Sequence, residues 1–231
     1  IALTDVQAER TFISTRGAEC FGGADAFDGV EPADGDIVHL SGYTLAHPIA
    51  AALAAFLART PRDRRAFRAV FDPGPLVADF DGAWLRRMVD YGPLWTCNER
   101  EAGVLARRLG CEPGGLACCL GAPVVVRRGA RGAQVMVPCL DGGATSVVNV
   151  PGYPARALDT NGAGDCHTGV LCAALLDGLD LCPAVRLANA ASAIAVTRRG
   201  PATCPTRAEA RALMDGDGVV PSGTPSQAHA A

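Results

Sequence analysis

Short apolar blocks alternate with longer mixed stretches along most of this chain, and the alternation predicts strands followed by helices. The apolar blocks at 37–40, 69–71 and 94–96 each precede a stretch with helical spacing, at 48–59, 82–91 and 98–109. Such alternation is typical of βαβ crossovers. The sequence therefore predicts an α/β fold with a parallel sheet.

The pattern changes after residue 120, where strands follow one another more closely. A β-branched run at 123–128 leads through a glycine-containing turn to a second apolar run at 134–137, and residues 146–150 predict a further strand. A helix is expected at 166–177. Pro183 suits the first turn of another helix, and Thr206 with Glu209 has the form of a capping box before the last one.

The two ends differ from the centre. The first thirteen residues alternate apolar and polar positions and predict a hairpin-like pair of strands. From residue 215 onward the chain is rich in Gly, Pro, Ser and Ala and lacks an apolar face, so a disordered tail is expected.

Composition narrows the functional classes. With 231 residues and 49% hydrophobic residues the chain can bury one sizeable core, so one main domain is expected. The net charge of −3 offers no basic field for nucleic acid, and no apolar run approaches the ~18 residues of a membrane span.

Ten cysteines are scattered without a C-x-x-C pair. We expect free thiols that pack as small buried hydrophobes, as in a cytoplasmic protein.

The most informative stretch is 159–165, which reads Asp-Thr-Asn-Gly-Ala-Gly-Asp before the predicted helix. Small residues at a helix N-terminus let backbone amides approach an anion. Asp165 follows at once and can take a proton from an attacking hydroxyl. An ordinary glycine-rich turn with a carboxylate that complements the helix dipole is the alternative interpretation.

This stretch resembles the C-terminal signature of the ribokinase-like, or PfkB, carbohydrate kinases. The resemblance implies an α/β fold with a doubly wound, mostly parallel sheet. It also implies an ATP-dependent kinase that phosphorylates a sugar hydroxyl, with ribose as the first candidate acceptor and fructose, a keto-deoxy sugar acid, a fructose phosphate or a nucleoside as the others. It makes Asp165 the base and assigns the anion hole to the backbone amides of Asn161, Gly162, Ala163 and Gly164. ATP and Mg²⁺ are the implied cofactors.

Further site residues follow from the same resemblance. Asn98 and Glu101 match an Asn-x-x-Glu motif that helps to hold magnesium, with Glu101 acting through water. Arg127, where many relatives have threonine, is a candidate phosphate contact, and Gly129 and Gly132 form a turn over the nucleotide. Asn189 lies on a stretch of small residues expected beside the adenine.

A monovalent cation, K⁺, is implied at a second cluster. The matching positions are Asp159, Asn161, Ala195, Arg198 and Gly200, mostly through carbonyl oxygens. Cys166 and His167, which follow the base directly, are interpreted as structural residues.

The resemblance also divides the chain. It assigns residues 1–20 to partial lid strands with a return segment and residues 21–214 to the ribokinase-like nucleotide-binding and catalytic domain. Residues 215–231 form the tail. The first sheet strands and the sugar-binding motif are expected outside this sequence, so Ser41, Gly42 and Tyr43 are the remaining candidate substrate contacts. A homodimer formed through the lid is the candidate assembly.

Two other hypotheses stay open at this stage. One is a truncated or degenerate relative that binds nucleotide without catalysis. The other is a different α/β enzyme whose glycine turn mimics the signature, although no Walker A or G-x-G-x-x-G fingerprint supports it.

Overall fold

The computed structural model describes residues 2–4, 10–13, 15, 17–18, 21–139, 145–216 and 218. Its strands are β1 (Ala2–Thr4), β2 (Arg10–Phe12), β3 (Ile37–Ser41), β4 (Arg68–Asp72), β5 (Leu94–Asn98), β6 (Val124–Arg127), β7 (Ala133–Val137) and β8 (Ser146–Val150). Its helices are α1 (Gly42–Leu45), α2 (Ala50–Arg59), α3 (Gly82–Tyr91), α4 (Glu99–Leu109), α5 (Leu116–Leu120), α6 (Ala163–Leu176), α7 (Leu181–Ala195) and α8 (Arg207–Asp215).

The main sheet has the strand order β3-β4-β5-β6-β7-β8. Strands β3 to β6 are parallel, whereas β6, β7 and β8 form an antiparallel meander. The polarity changes at β6 because only the short turn Gly129–Arg131 joins β6 to β7, and a parallel connection would need a crossover of a dozen or more residues. The predicted α/β fold is confirmed, with a mixed sheet.

Helices cover both faces of this sheet. Val124 and Val126 of β6 pack with α2 to α5, whereas Val125 packs with α6, α7 and α8. Successive side chains of a strand point to opposite faces, so an unbroken apolar run indicates a strand buried on both sides. The core therefore lies in two layers, one on each face of the sheet.

Local capping explains where several helices begin. The predicted capping box of Thr206 and Glu209 is confirmed at α8, and Asn98 forms a second one with Glu101 at α4. Helix α6 begins at Ala163, three residues before the predicted start, because Gly162 takes the N-cap position with φ of 74°. Helix α2 begins at Ala50, after the predicted residue 48.

The expectation that the cysteines are buried was wrong for most of them. Of the nine described thiols, Cys97 and Cys166 are buried, whereas four are exposed: Cys118, Cys119, Cys139 and Cys204. The exposed ones lie on the short helix α5 or in connections between elements, where no second layer covers them. Sequence composition alone could not separate these places from the core.

The two ends are described only in part. Strands β1 and β2 pair antiparallel, as predicted, with Leu3 opposite Thr11. The predicted disordered tail falls almost wholly outside the described residues. None of the described helices is both long and apolar enough to cross a bilayer.

Candidate active site

The carboxyl ends of the parallel strands bring together polar residues from distant parts of the chain. Asp72 ends β4, Asn98 ends β5 and Arg127 ends β6. Ser41 pairs with Asp72 and Asn98 pairs with Arg127 across the sheet, so these ends lie side by side. Ligands of open α/β sheets bind at this edge.

Arg127 is the centre of a polar network beneath the glycine turn. Its Nη1 lies 2.8 Å from Asp72 Oδ2, 2.9 Å from Thr96 Oγ1 and 3.0 Å from Thr168 Oγ1. Its Nη2 lies 3.7 Å from Glu101 Oε2. The side chain is 14% exposed, so this cation is held in place by two carboxylates and two hydroxyls rather than by water.

The glycine turn leads directly into α6. Asn161 N–H donates to Asp159 Oδ1 at 2.9 Å, and Ala163 N–H donates to Thr160 O at 3.3 Å. No described residue offers a hydrogen-bond acceptor to the amides of Gly162 and Gly164. These two amides, at the positive end of the helix dipole, are the ones free to bind an anion.

Asp165 lies in the first turn of α6 and is exposed. Its charge acts on His39 of β3 and on Tyr43 of α1. Burial raises the pKa of Tyr43, and the negative charge of Asp165 raises it further. Burial lowers the pKa of His39, and the charges of Asp72 and Asp165 oppose that shift. Asp165 therefore lies on the β3 side of the site.

A cavity of about 380 Å³ lies beside the turn, on the side of α7. Its lining brings together many of the predicted residues: Asn98, Arg127, Gly129, Gly132, Ala163, Gly164 and Asn189. Concave sites of this volume accommodate small ligands. Asp165, Asn161, Gly162 and Glu101 lie outside the lining of this cavity.

Two glycines allow the cavity floor to form. A Cβ atom on Gly132 would lie 2.2 Å from Val150 O, and one on Gly152 would lie 2.5 Å from Ala130 O. The turn after β6 and the segment after β8 thus touch through their backbones. Gly132 is needed for this contact, and its φ of 87° also favours glycine.

Both the nitrogen and the oxygen of the Asn189 side-chain amide form hydrogen bonds inside the protein. Its Nδ2 donates to Val150 O and Pro151 O at 3.1 Å each, which leaves Oδ1 to accept from His167 Nε2 at 3.1 Å. His167 is therefore the Nε2–H tautomer, and burial lowers its pKa to about 3. Its buried Nδ1 has no partner among the described residues. The interpretation of His167 as a packed residue agrees with these contacts.

Glu101 fits a magnesium ion that is held through water. One carboxylate oxygen accepts the Asn98 N–H at 2.8 Å, and burial raises the pKa of the side chain. Among the described residues no three His, Cys, Asp or Glu side chains are grouped closely enough to hold a metal ion. Magnesium commonly keeps several waters and uses one or two carboxylates with substrate phosphates, so this donor set is sufficient for it.

The predicted cation positions lie on the turn before α6 and on the end of α7 with the loop after it, and Asp159 joins these two segments. Asp159 Oδ1 accepts from Asn161 N–H and Oδ2 accepts from Gly200 N–H at 3.0 Å. Ala195 O already accepts from Arg198 N–H at 3.1 Å and from Thr203 Oγ1 at 3.1 Å. A cation bound here would share that carbonyl with two donors.

Sequence reasoning missed several residues of the site. Asp72, Thr96 and Thr168 hold Arg127, and Tyr153 lines the cavity. Asp72 was accessible to sequence reasoning, because a carboxylate directly after a buried strand marks the ligand edge of a parallel sheet. The two threonines give no comparable signal.

Comparisons with known proteins match nearly the whole of this chain. A family model described as pfkB family carbohydrate kinase matches residues 1–208. The uncharacterized sugar kinase YegV of Escherichia coli is 34% identical over 217 residues, which are 90% of this chain and 64% of that protein. The chain thus spans slightly less than two thirds of that relative.

Solved structures of low sequence identity share the fold. Ribokinase from Thermotoga maritima has a TM-score of 0.73 at 24% identity, over 93% of this chain and 68% of that one. Fructokinase from Vibrio cholerae, solved with fructose, ADP and calcium, has a TM-score of 0.75 at 23% identity, over 92% of this chain and 72% of that one. Because the family model covers nearly the whole sequence, this chain belongs to the PfkB family of carbohydrate kinases.

Proposed function

We propose that this chain is the nucleotide-binding and catalytic part of an ATP-dependent kinase that phosphorylates a sugar hydroxyl. One observation carries the proposal: Asp165 stands exposed directly after a turn with two free amides, beside a cavity of about 380 Å³. A base next to an anion hole and a nucleotide-sized cavity are the parts that phosphoryl transfer requires.

Each residue of the site has a role in this proposal. Asp165 accepts the proton of the acceptor hydroxyl, and the amides of Gly162 and Gly164 stabilise charge on the group in transfer. Arg127 adds a positive charge beneath the turn. Bound ATP supplies the phosphoryl group. Glu101, near Asn98, would hold magnesium through water, and the ion would offset the charge of the phosphates. A potassium ion at the Asp159 loops would reinforce the turn.

The acceptor would approach Asp165 from the β3 end of the site. Tyr43 is 51% exposed there and responds to the charge of Asp165. Ser41 is less available, because its Oγ accepts from Tyr43 N–H at 3.3 Å and caps α1. Ribose is the first acceptor to test and a nucleoside the second, since the fold does not select between them.

A second candidate is a protein that binds nucleotide without catalysis. The contact between Arg127 and Glu101 favours it, because a guanidinium 3.7 Å from the carboxylate competes with magnesium for that charge. An active enzyme must bind magnesium through the remaining Glu101 oxygen or displace this contact.

The deciding experiment measures ATP consumption by the full-length protein across a panel of sugars and nucleosides. We expect acceptor-dependent turnover that Asp165→Asn lowers by about 100- to 10,000-fold, with ATP affinity little changed. ATP binding without turnover on any acceptor would instead favour the binding protein. Equal turnover by Asp165→Asn would remove Asp165 from the proposed role.

A further inference from the structure

Two thiols meet next to the glycine turn. Cys166 directly follows Asp165 in the first turn of α6, and Cys204 lies in the segment between α7 and α8. Their Sγ atoms are 3.0 Å apart. A disulfide has an S–S length of about 2.0 Å, so bond formation requires a closure of only about 1 Å.

Several contacts fix the backbone on both sides of this pair. Gly162 lies against Pro201, since a Cβ atom on it would be 1.9 Å from the Pro201 carbonyl oxygen. Asp159 accepts from Gly200 N–H, and Thr203 Oγ1 donates to Ala195 O. The two thiols are therefore held near each other by the fold.

The two sulfurs differ in access to solvent. Cys204 is exposed, whereas Cys166 is 8% exposed. Burial raises the pKa of Cys166, and the neighbouring Cys204 raises it further. The attacking thiolate is therefore that of Cys204, and Cys166 is suited to the second, resolving step.

We propose that Cys166 and Cys204 form a modification site at which exchange with a low-molecular-weight disulfide, such as oxidised glutathione, produces an intramolecular disulfide. The Cys204 thiolate attacks one sulfur of the oxidant, the S–S bond of the oxidant breaks, and one thiol leaves. Cys166 then attacks the Cys204 sulfur of the mixed disulfide, and its proton goes to the second departing thiol. Two protein thiols are oxidised, and one small disulfide is reduced to two thiols.

The bridge would link the loop after α7 to the start of α6. Cys166 and Cys204 are 38 residues apart in the sequence. A crosslink of this kind restricts the unfolded chain and raises Tm, here by about 5–10 °C. It also pulls on the residue next to Asp165. We therefore expect phosphoryl transfer to fall about tenfold on oxidation and to return on reduction, an effect that rests on the proposed function.

The test treats the full-length protein with oxidised glutathione under native conditions and follows intact mass, peptide maps and Tm. We expect a loss of two hydrogen atoms, one linked peptide joining Cys166 to Cys204, and a Tm rise that dithiothreitol reverses. Cys172→Ser, a change on the same helix at a half-buried thiol, should behave like the unmodified sequence. Cys204→Ser should lose the linked peptide and the Tm rise.

The outcomes separate this inference from the kinase proposal. A linked peptide with the expected Tm rise supports the site even if no acceptor is phosphorylated. A stable glutathione adduct on Cys204 without bridging would overturn it. So would linkage mainly between Cys111 and Cys119, which interact with each other on the opposite side of the sheet.

Discussion

At the scale of single residues, two glycines of the same turn are needed for different reasons. Gly162 has φ of 74°, and a side chain there would meet the Pro201 carbonyl oxygen at 1.9 Å. Gly164 has an ordinary φ, and its nearest new contact would be Arg127 at 3.7 Å. Gly162 is therefore needed for the backbone conformation and packing of the turn, whereas Gly164 leaves space open above Arg127.

These positions give a matched pair of variants. We expect Gly162→Ala to lower the free energy of unfolding by about 2–4 kcal/mol, because both the backbone conformation and the packing resist a methyl group. Gly164→Ala should change it by less than about 1 kcal/mol, yet lower phosphoryl transfer about tenfold or more by obstructing the anion hole. Denaturant unfolding measures the change in stability of each variant, and ATP consumption measures the change in phosphoryl transfer. Equal stability of the two variants would contradict this assignment.

Arg127 allows a second test at this scale. Its ion pair with Asp72 is largely buried, with side-chain exposures of 14% and 16%. We expect Arg127→Gln to cost about 3 kcal/mol of unfolding free energy, since it leaves Asp72 and Glu101 without their cation. In a double-mutant cycle with Asp72→Asn the coupling should be about 1–3 kcal/mol.

The exposed pair of Arg131 and Glu99 is the matched control. Its side chains are 61% and 47% exposed, so solvent screens the interaction. The same cycle with Arg131→Gln and Glu99→Gln should give a coupling below about 1 kcal/mol. Similar coupling at both pairs would mean that burial does not strengthen the Arg127 network.

At the scale of elements, α6 combines a proposed anion-binding N-terminus with an ordinary helical body. Gly169 lies within it, is exposed, and a Cβ atom there would meet nothing within 4 Å. We expect Gly169→Ala to raise the free energy of unfolding by about 0.5–1 kcal/mol, because glycine is a poor helix former. Thermal unfolding measures this change, and a lower Tm would indicate a contact that the helix does not present here.

Prediction of elements succeeded where local signals mark both ends. Helix α3 has the predicted bounds, since Asp81 caps its start and Gly92 ends it with φ of 60°. Helix α1 has a capping residue, Ser41, at its start but no comparable signal at its end. It has only four residues, and buried Gly42 packs so closely on Pro73 that a Cβ atom would lie 1.9 Å from its carbonyl oxygen. Tertiary packing of this kind leaves no periodic pattern in a sequence.

At the scale of the whole molecule, the site also has one part that local sequence marks and another part that only tertiary structure creates. Residues 159–165 are contiguous, so their combination of small residues and carboxylates could be read directly. The network of Asp72, Thr96, Arg127 and Thr168 is assembled from four separate segments: three adjacent parallel strands carry Asp72, Thr96 and Arg127, and helix α6 carries Thr168. Its existence could not be predicted from local composition.

The global stability should depend on pH through His167. Burial and the charge of Arg127 lower its pKa from 6.5 to about 3, so between these values the unfolded chain binds a proton that the folded chain does not. Stability from this group is present above pH 6.5 and is lost as the pH falls toward 3, by about 1.4 kcal/mol per pH unit. Urea unfolding at about pH 7 and about pH 5 measures this slope.

The control for this slope is His167→Gln, which keeps a hydrogen-bond donor near Asn189 but does not titrate. We expect the variant to lose less stability on acidification than the unmodified sequence. An unchanged slope would assign the acid sensitivity to other groups.

The change of sheet polarity at β6 has a consequence for the order in which the chain folds. Strands β6, β7 and β8 pair with neighbours in sequence, whereas each pairing from β3 to β6 spans a helix. Short loops close at lower entropic cost, so we expect the meander to assemble first. Yet it is the last part of the sheet to be synthesised. On the ribosome, one edge of β5 therefore stays unpaired until the meander of β6, β7 and β8, the part of the sheet expected to form first, has been translated.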